Sequence, residues 1–343
     1  MHPPLRRAAL FLGALGLLPW GLQGRGPSLP TTTFAAEIAR LSEPEGYFDT
    51  DNLISNEHSY ADVIPALASA GVRGGAYLGV GPDQNFSYIA RIRPTFAYII
   101  DIRRDNLLLH LLFKALFAQA GTRAEYLSLL TGRSPPERPD RWTGATIHAL
   151  IAHVDAPALP AEALRSLRAR VDATIERFGV PLSAADRRTI DRFHRTFVDA
   201  GLALRFQSHG RPPRPYYPTF RELLLATDGR GQAGNYLASE DDYRFVRGLQ
   251  QRDRIIPVVG DVGGAHALRA IAGAIAGRGE RVSAFYLSNV ETYLSRDGAY
   301  RRFIQNLRLL PRDERSVMIR SAFGGGSSVS AVHSMNEILA RLR

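Results

Sequence analysis

Five short runs of apolar residues, rich in β-branched and aromatic side chains, stand out from the polar background of the chain. They are Ala76 to Val80, Phe96 to Ile102, Ile255 to Val259, Val282 to Ser288 and Ser316 to Ser321. Their shortness and near-continuous apolarity predict strands covered on both faces. Helical periodicity marks Asp62 to Ala70 before the first run, Arg103 to Ala120 after the second, Gly264 to Gly277 after the third and Tyr300 to Leu309 after the fourth. A helix over Ser330 to Leu342 is expected to close the chain. Strands alternating with helices predict an α/β fold with a doubly wound, mostly parallel sheet.

The alternation is broken once. About 150 residues separate Ile102 from Ile255, far more than one crossover needs. Helices are expected there over Arg123 to Leu130, Ala161 to Phe178, Ser183 to Gly201, Phe220 to Ala226 and Ser239 to Gln250. Ser183 and Asp186 have the spacing of a capping box. Proline-rich breaks at 134–139 and 211–218 punctuate the stretch. It reads as a large helical cap, about 107–252, inserted after the second strand of a single domain over 31–343. A separate middle domain is the other reading, but the stretch lacks linkers of its own.

Residues 1–30 read as a leader and linker. Arg6-Arg7 precede an apolar run, Ala8 to Leu18, of signal-peptide length, and Pro19-Trp20-Gly21 ends it. The pair followed by Phe11-Leu12 resembles a twin-arginine export signal. This predicts the cell envelope or periplasm, with membrane attachment only through the leader. The alternative is a disordered extension on a cytoplasmic protein.

The chain has 343 residues, 43 basic against 33 acidic, for a formal charge of +10. Lysine occurs once, at Lys114; the arginines are scattered and mostly lie near acids, as in the composition of a GC-rich bacterial genome. They read as solvated surface, so a nucleic-acid partner is not expected. No cysteine is present, which excludes disulfides, thiolate metal sites and a cysteine nucleophile. The histidines do not cluster at ligand spacing, so no metal is expected. No G-x-x-x-x-G-K-[ST] or G-x-S-x-G occurs, against a P-loop or an α/β hydrolase.

The candidate chemistry lies at strand ends. The first strand runs into Gly79-Val80-Gly81-Pro82-Asp83-Gln84-Asn85, a G-x-G turn that leads to a helix. Glycines there allow close backbone approach to a ligand, and Asn85 is a further candidate contact. Asp101, followed by Ile102, ends the second strand, where nucleotide-binding folds place an acid on ribose hydroxyls. Its other reading is a helix N-cap. Asp261 and Val262 follow the third strand, Asp261 suited to accept from an adenine amino group or to cap the helix after it. Asn289 and Glu291 follow the fourth. Gln84 stands where a dinucleotide fingerprint has its third glycine, so a ribose cofactor without phosphate fits better.

Taken in order, Gly79-Val80-Gly81, Asp101, Asp261 and Ser288-Asn289-Val290-Glu291 resemble the strand-end motifs of class I S-adenosylmethionine-dependent methyltransferases. More closely, the chain resembles an uncharacterised bacterial family with a methyltransferase-like Rossmann core, through Gly46 to Glu57, Gly79 to Phe86 and Asp101 to Asn106. The likeness spans about 34–343. The superfamily turn usually carries an acid two residues before its first glycine, and a third glycine. Tyr77 and Asp83 stand at those places here.

The resemblance implies S-adenosylmethionine as cofactor, held by Gly79, Val80, Gly81, Asn85, Asp101, Ile102, Asp261 and Val262. It implies a methyltransferase acting on an unknown small molecule, with Asn289 and Glu291 orienting or deprotonating the acceptor. A non-catalytic ligand-binding protein of the same fold and an NAD-dependent oxidoreductase are the alternatives. The polar cluster Asn52, Ser55, Asn56, Glu57, His58 and Tyr60 reads either as a lid over the cofactor or as a surface loop. Arg205 to Tyr217 reads as an ordered loop on the cap, or else as a basic and aromatic surface that stacks nucleobases or binds acidic groups, and Gly324 to Ser328 as a flexible loop or an anion nest.

Overall fold

The computed structural model describes residues 33–341 apart from 210, 213 and 297, so the leader expected over 1–30 lies outside the described residues. In chain order the elements are α1 (Phe34–Leu41), α2 (Ile64–Ser69), β1 (Ala76–Gly79), α3 (Gln84–Ile92), β2 (Phe96–Asp101), α4 (Arg104–Gln119), α5 (Arg123–Thr131), α6 (Ile147–Val154), α7 (Ala161–Glu176), α8 (Ala184–Ala200), α9 (Phe220–Leu225) and α10 (Glu240–Gln251). They continue with β3 (Ile255–Val259), α11 (Ala267–Gly277), β4 (Val282–Ser288), α12 (Val290–Arg296), α13 (Tyr300–Leu309), β5 (Val317–Gly324), β6 (Ser327–Ser334) and α14 (Met335–Arg341).

The strands form one sheet in the order β3-β2-β1-β4-β5-β6. All neighbours are parallel except β5 and β6. This is a Rossmann-like α/β sheet. β1, β3 and the apolar part of β4 are buried on both faces, which explains their unbroken apolar runs. Pro257 sits within β3 and has no N–H to give a second neighbour, consistent with the place of β3 at the edge. Right-handed crossovers from β1 to β2 to β3 put α3 and α4 on one face; the reversal from β3 to β4 and β5 puts α11 and α13 on the other.

The end of the chain differs from its reading. Gly324 to Ser328 is the turn of a hairpin, and Ser327–Ser334 is a strand rather than the start of a helix. Gly325 and Gly326 take φ of +60° and +83°, the two positive dihedrals of a tight hairpin turn. The serines of β6 hid its strand character, because small polar residues carry little hydrophobic period.

The insert divides in two. α4 packs on β2 and β3, and α10 packs on α3 and α4, so both belong to the layer that covers the sheet. α7 and α8 stack on the far side of α4. Stacked and edge-on rings join the layers: Phe117 lies 5.4 Å from Tyr243, 4.4 Å from Tyr126 and 5.5 Å from Phe86. Arg123, almost wholly buried on α5, pairs with Glu240 of α10 at 3.4 Å. The capping box expected at Ser183 and Asp186 is formed. Among the described residues no helix is long and apolar enough to cross a membrane.

Candidate functional site

In an open parallel sheet the strand order reverses at one point, and the loops beyond the carboxyl ends part there to leave a crevice. Here that point lies between β1 and β4. A cleft of about 330 Å³ opens at it, within the size range of small-ligand sites. Gly81, Asp101, Ile102, Asp261, Val262 and Asn289 all line it, as does Val80. Four separate strand ends therefore meet at one cavity.

Gly81 has φ +81°, a conformation that favours glycine, and its carbonyl is held by His110 Nε2 at 2.9 Å. Burial pushes His110 down to about 4, against that hydrogen bond, so the ring is neutral at neutral pH.

Three sequence candidates lie elsewhere. Asn85 is wholly buried; it donates to the carbonyls of Val80 at 2.9 Å and Pro82 at 2.7 Å, and accepts from the Tyr77 hydroxyl at 2.8 Å. It clamps the turn from inside and does not line the cleft. Gly79 serves the same contact. A Cβ there would stand 1.8 Å from Asn85 Oδ1, so the close approach is to a side chain of the protein. Glu291 points away and pairs with Arg320 on β5. Helix α12 starts at Val290, so successive side chains diverge around its axis: Asn289, Val290, Tyr293 and Leu294 line the cleft, and Glu291 does not.

Asp101 lines the cleft but is already engaged. Its Oδ1 accepts from Arg103 N and Nε, both at 3.0 Å, and its Oδ2 from Arg103 Nη2 at 2.7 Å. Asp261 Oδ1 accepts from Gly263 N at 2.8 Å, a local turn contact.

The helix starts beside the cleft carry the chain's own carboxyl groups. Glu43 accepts from the backbone N–H of Asp261, His266 and Ala267 at 2.8, 3.0 and 3.2 Å, filling the glycine turn before α11. Gly264 makes room for it: a Cβ there would lie 2.4 Å from Glu43 Oε1. At α3 the Asp83 carboxyl is buried at the helix start, and burial pushes it up to about 7. Neither start is open to a phosphate.

The polar segment before the core was the least readable part. Leu53, Ile54, Ser55 and Glu57 are buried, so it is no surface loop. Phe48, Asn52, Ser55 and Asn56 form a wall of the cleft, and Thr50 Oγ1 ties the segment to Gln207 O at 2.8 Å. Glu57 is the hub missed by the sequence. Its Oε1 accepts from the hydroxyls of Tyr286, at 2.8 Å, and Ser288; its Oε2 accepts from Ser321 at 2.8 Å. Burial first, and the Glu57 charge second, hold the Tyr286 phenol well above its ordinary value, so it stays a donor. Tyr286 and Ser288 also line the cleft, and Ser288 has φ +52°, strained for a residue with a Cβ.

From the insert only the loop after α8 reaches the site. Phe206 enters the cleft, and Tyr216 and Tyr217 line a second chamber beside it. The helices of the insert line neither. Among the described residues no group of three or more His, Asp or Glu comes together to hold a metal ion.

Fold and site together define a Rossmann-like α/β protein with a cleft at the switch point of its sheet. The chain belongs to the DUF7790 family, a domain of unknown function, whose family model matches residues 52–140 and 214–338. The match takes in all six strands, the cleft wall from Asn52 onward and Tyr216 with Tyr217, and passes over α6 to α8. A search of curated proteins finds no match.

Proposed function

We propose that the cleft binds S-adenosylmethionine and that the protein transfers its methyl group to a small molecule. One observation carries this reading. The cleft has acids at two strand ends, while its neighbouring helix starts are filled by Glu43 and Asp83. That chemistry suits a nucleoside cofactor without phosphate and disfavours NAD.

The residues present fit such a ligand. Asp101 and Asp261 offer carboxylate acceptors to ribose and adenine, and Ile102 and Val262 offer apolar contacts. Gly81 and Val80 bring the backbone of the turn to the cavity. S-adenosylmethionine supplies an electrophilic methyl group on a sulfonium. The protein's work in such a transfer is to hold the partners in line and exclude water. Asn289 stands at the edge where the partners would meet; Glu291 takes no part, because it faces Arg320.

A second reading, a binding protein without catalysis, is favoured by the pairing of both Asp101 oxygens with Arg103. Titration calorimetry and thermal unfolding with S-adenosylmethionine, its demethylated product and NAD separate the readings. A ligand at 100 times its dissociation constant adds about 2.7 kcal/mol of stability. We expect that gain from the first two and none from NAD. Absence of binding by both adenosyl compounds overturns the proposal.

A further inference from the structure

A second chamber of about 310 Å³ adjoins the cleft, and the two share Asn56, Asn289 and Tyr293 as a common wall. Its other surfaces are the half-exposed rings of Tyr216 and Phe323, the glycine turn of the β5–β6 hairpin, and Ser328. Among the described residues no aspartate, glutamate, lysine or arginine lines it. His58 does, but its Nε2 lies 2.9 Å from Tyr216 O. Beside it the exposed Arg214 guanidinium, 5.7 Å from the Tyr216 ring, is bonded to that residue's hydroxyl, and Arg205 is bonded to the Tyr217 carbonyl; both oppose a cationic guest. A carboxylate or phosphate would lose its water without meeting a desolvated cation. Ring faces, amides and hydroxyls without charge suit a flat, neutral molecule that carries a hydroxyl group.

A file of hydroxyls leads away from the chamber. Ser328 Oγ lies 2.9 Å from Ser59 Oγ, Ser59 Oγ 2.9 Å from Ser330 Oγ, and Ser330 Oγ 3.0 Å from Ser321 Oγ. In each of these contacts either oxygen can donate, and Ser321 donates to Glu57 Oε2 at 2.8 Å. One end of the file faces the chamber and the other is a buried carboxylate with no cationic partner among the described residues.

Resting on the methyl-transfer reading above, we infer that this chamber is the acceptor site, that it takes an uncharged planar aromatic alcohol, and that the serine file carries the acceptor's proton to Glu57. The balance is complete. The bond between methyl carbon and sulfur breaks, and its electron pair stays on sulfur as a thioether. A lone pair of the acceptor oxygen forms the new carbon–oxygen bond. The hydroxyl proton passes to Ser328 while each serine hands its own proton onward, and Glu57 ends as a neutral carboxylic acid.

The test uses the full chain with 2-naphthol, 2-naphthoate and 2-naphthylmethylammonium as probes, their binding read by saturation-transfer NMR and calorimetry with and without S-adenosylhomocysteine. We expect 2-naphthol to bind at least about tenfold more tightly than either charged probe, and Phe323→Ala to weaken it by about tenfold, the size of one lost aromatic contact. Equal binding of a charged probe, no binding of naphthol, or indifference to Phe323→Ala overturns the chamber's assignment. Naphthol binding in a protein that binds no adenosyl compound overturns the methyl-transfer reading, and the acceptor role falls with it. Ser330→Ala cuts the file without touching the chamber. It should lower kcat for naphthol methylation with KM and naphthol affinity unchanged, and Ser330→Thr should restore kcat; an unchanged kcat in Ser330→Ala removes the proton path.

Discussion

Arg103 faces Asp101 through two parallel hydrogen bonds, Nε to Oδ1 at 3.0 Å and Nη2 to Oδ2 at 2.7 Å, at the edge of the cleft. Both side chains are about nine-tenths buried. The acid that the sequence offers to a ribose is thus also the counter-charge of an arginine that holds the Thr50 carbonyl.

Asp101→Ala should therefore have two effects. Loss of a charged hydrogen bond should weaken an adenosine-type ligand by roughly 1.5–3 kcal/mol. Leaving Arg103 buried without its partner should lower folding stability by about 3–5 kcal/mol. Calorimetry and urea unfolding measure the two separately. Lower stability with undiminished ligand affinity would mean that Asp101 serves Arg103 alone.

The glycine turn makes a contrasting pair. Gly81→Ala forces a Cβ onto φ +81° beside Asn52 Nδ2 at 3.1 Å, and should cost about 1–2 kcal/mol of stability with loss of ligand binding. Gly79→Ala drives a Cβ into Asn85 and should be the more damaging to the fold. Unfolding curves in which Gly79→Ala is the milder variant would contradict the clamp by Asn85.

Asp83 sets a pH dependence of known sign. Its folded value of about 7 lies above the ordinary 3.8, so the folded state holds a proton that the unfolded state has lost. Stability from this group is complete below about pH 4 and declines as pH rises to about 7. Asp83→Asn should match the wild type near the low end of that window and exceed it above the high end, by up to roughly 4 kcal/mol. Urea titrations at both ends test this; a difference that does not change with pH would refute it.

Glu57→Gln leaves one acceptor oxygen for hydroxyls that all donate to a carboxylate. We expect a loss of about 3–5 kcal/mol, against about 1 kcal/mol for Tyr286→Phe, which removes one donor. Comparable losses in the two variants, measured by denaturant unfolding, would show that Glu57 is not the hub.

The buried parallel strands were legible because burial on both faces leaves an unbroken apolar run, as in Ile255 to Val259. Their carboxyl ends follow from topology, so Gly81, Asp101, Asp261 and Asn289 could be expected to share a cleft. The directions of side chains within a turn could not. Asn85 and Glu291 sit beside true cleft residues in sequence and point elsewhere. β6 was hidden by serines, although Gly325-Gly326 is a hairpin signal that the sequence did carry. Glu57 was unreadable as a hub: its partners lie on β4, β5 and β6, more than two hundred residues away.

The central strand also governs how the chain must be assembled. Ala76 of β1 pairs on one side with Phe96, soon after it in the chain, and on the other with Val282, which follows the whole helical insert. During synthesis β1 and β2 emerge early, and the bare flank of β1 then waits for β4 while all of α4 to α11 is made. Contacts of such separation slow folding, and an unpaired apolar strand in the waiting chain invites aggregation. The insert's helices form local contacts and fold without waiting. They bring the chain back to β3 and cover one face of the half-built sheet, while the flank of β1 stays unpaired until β4 arrives.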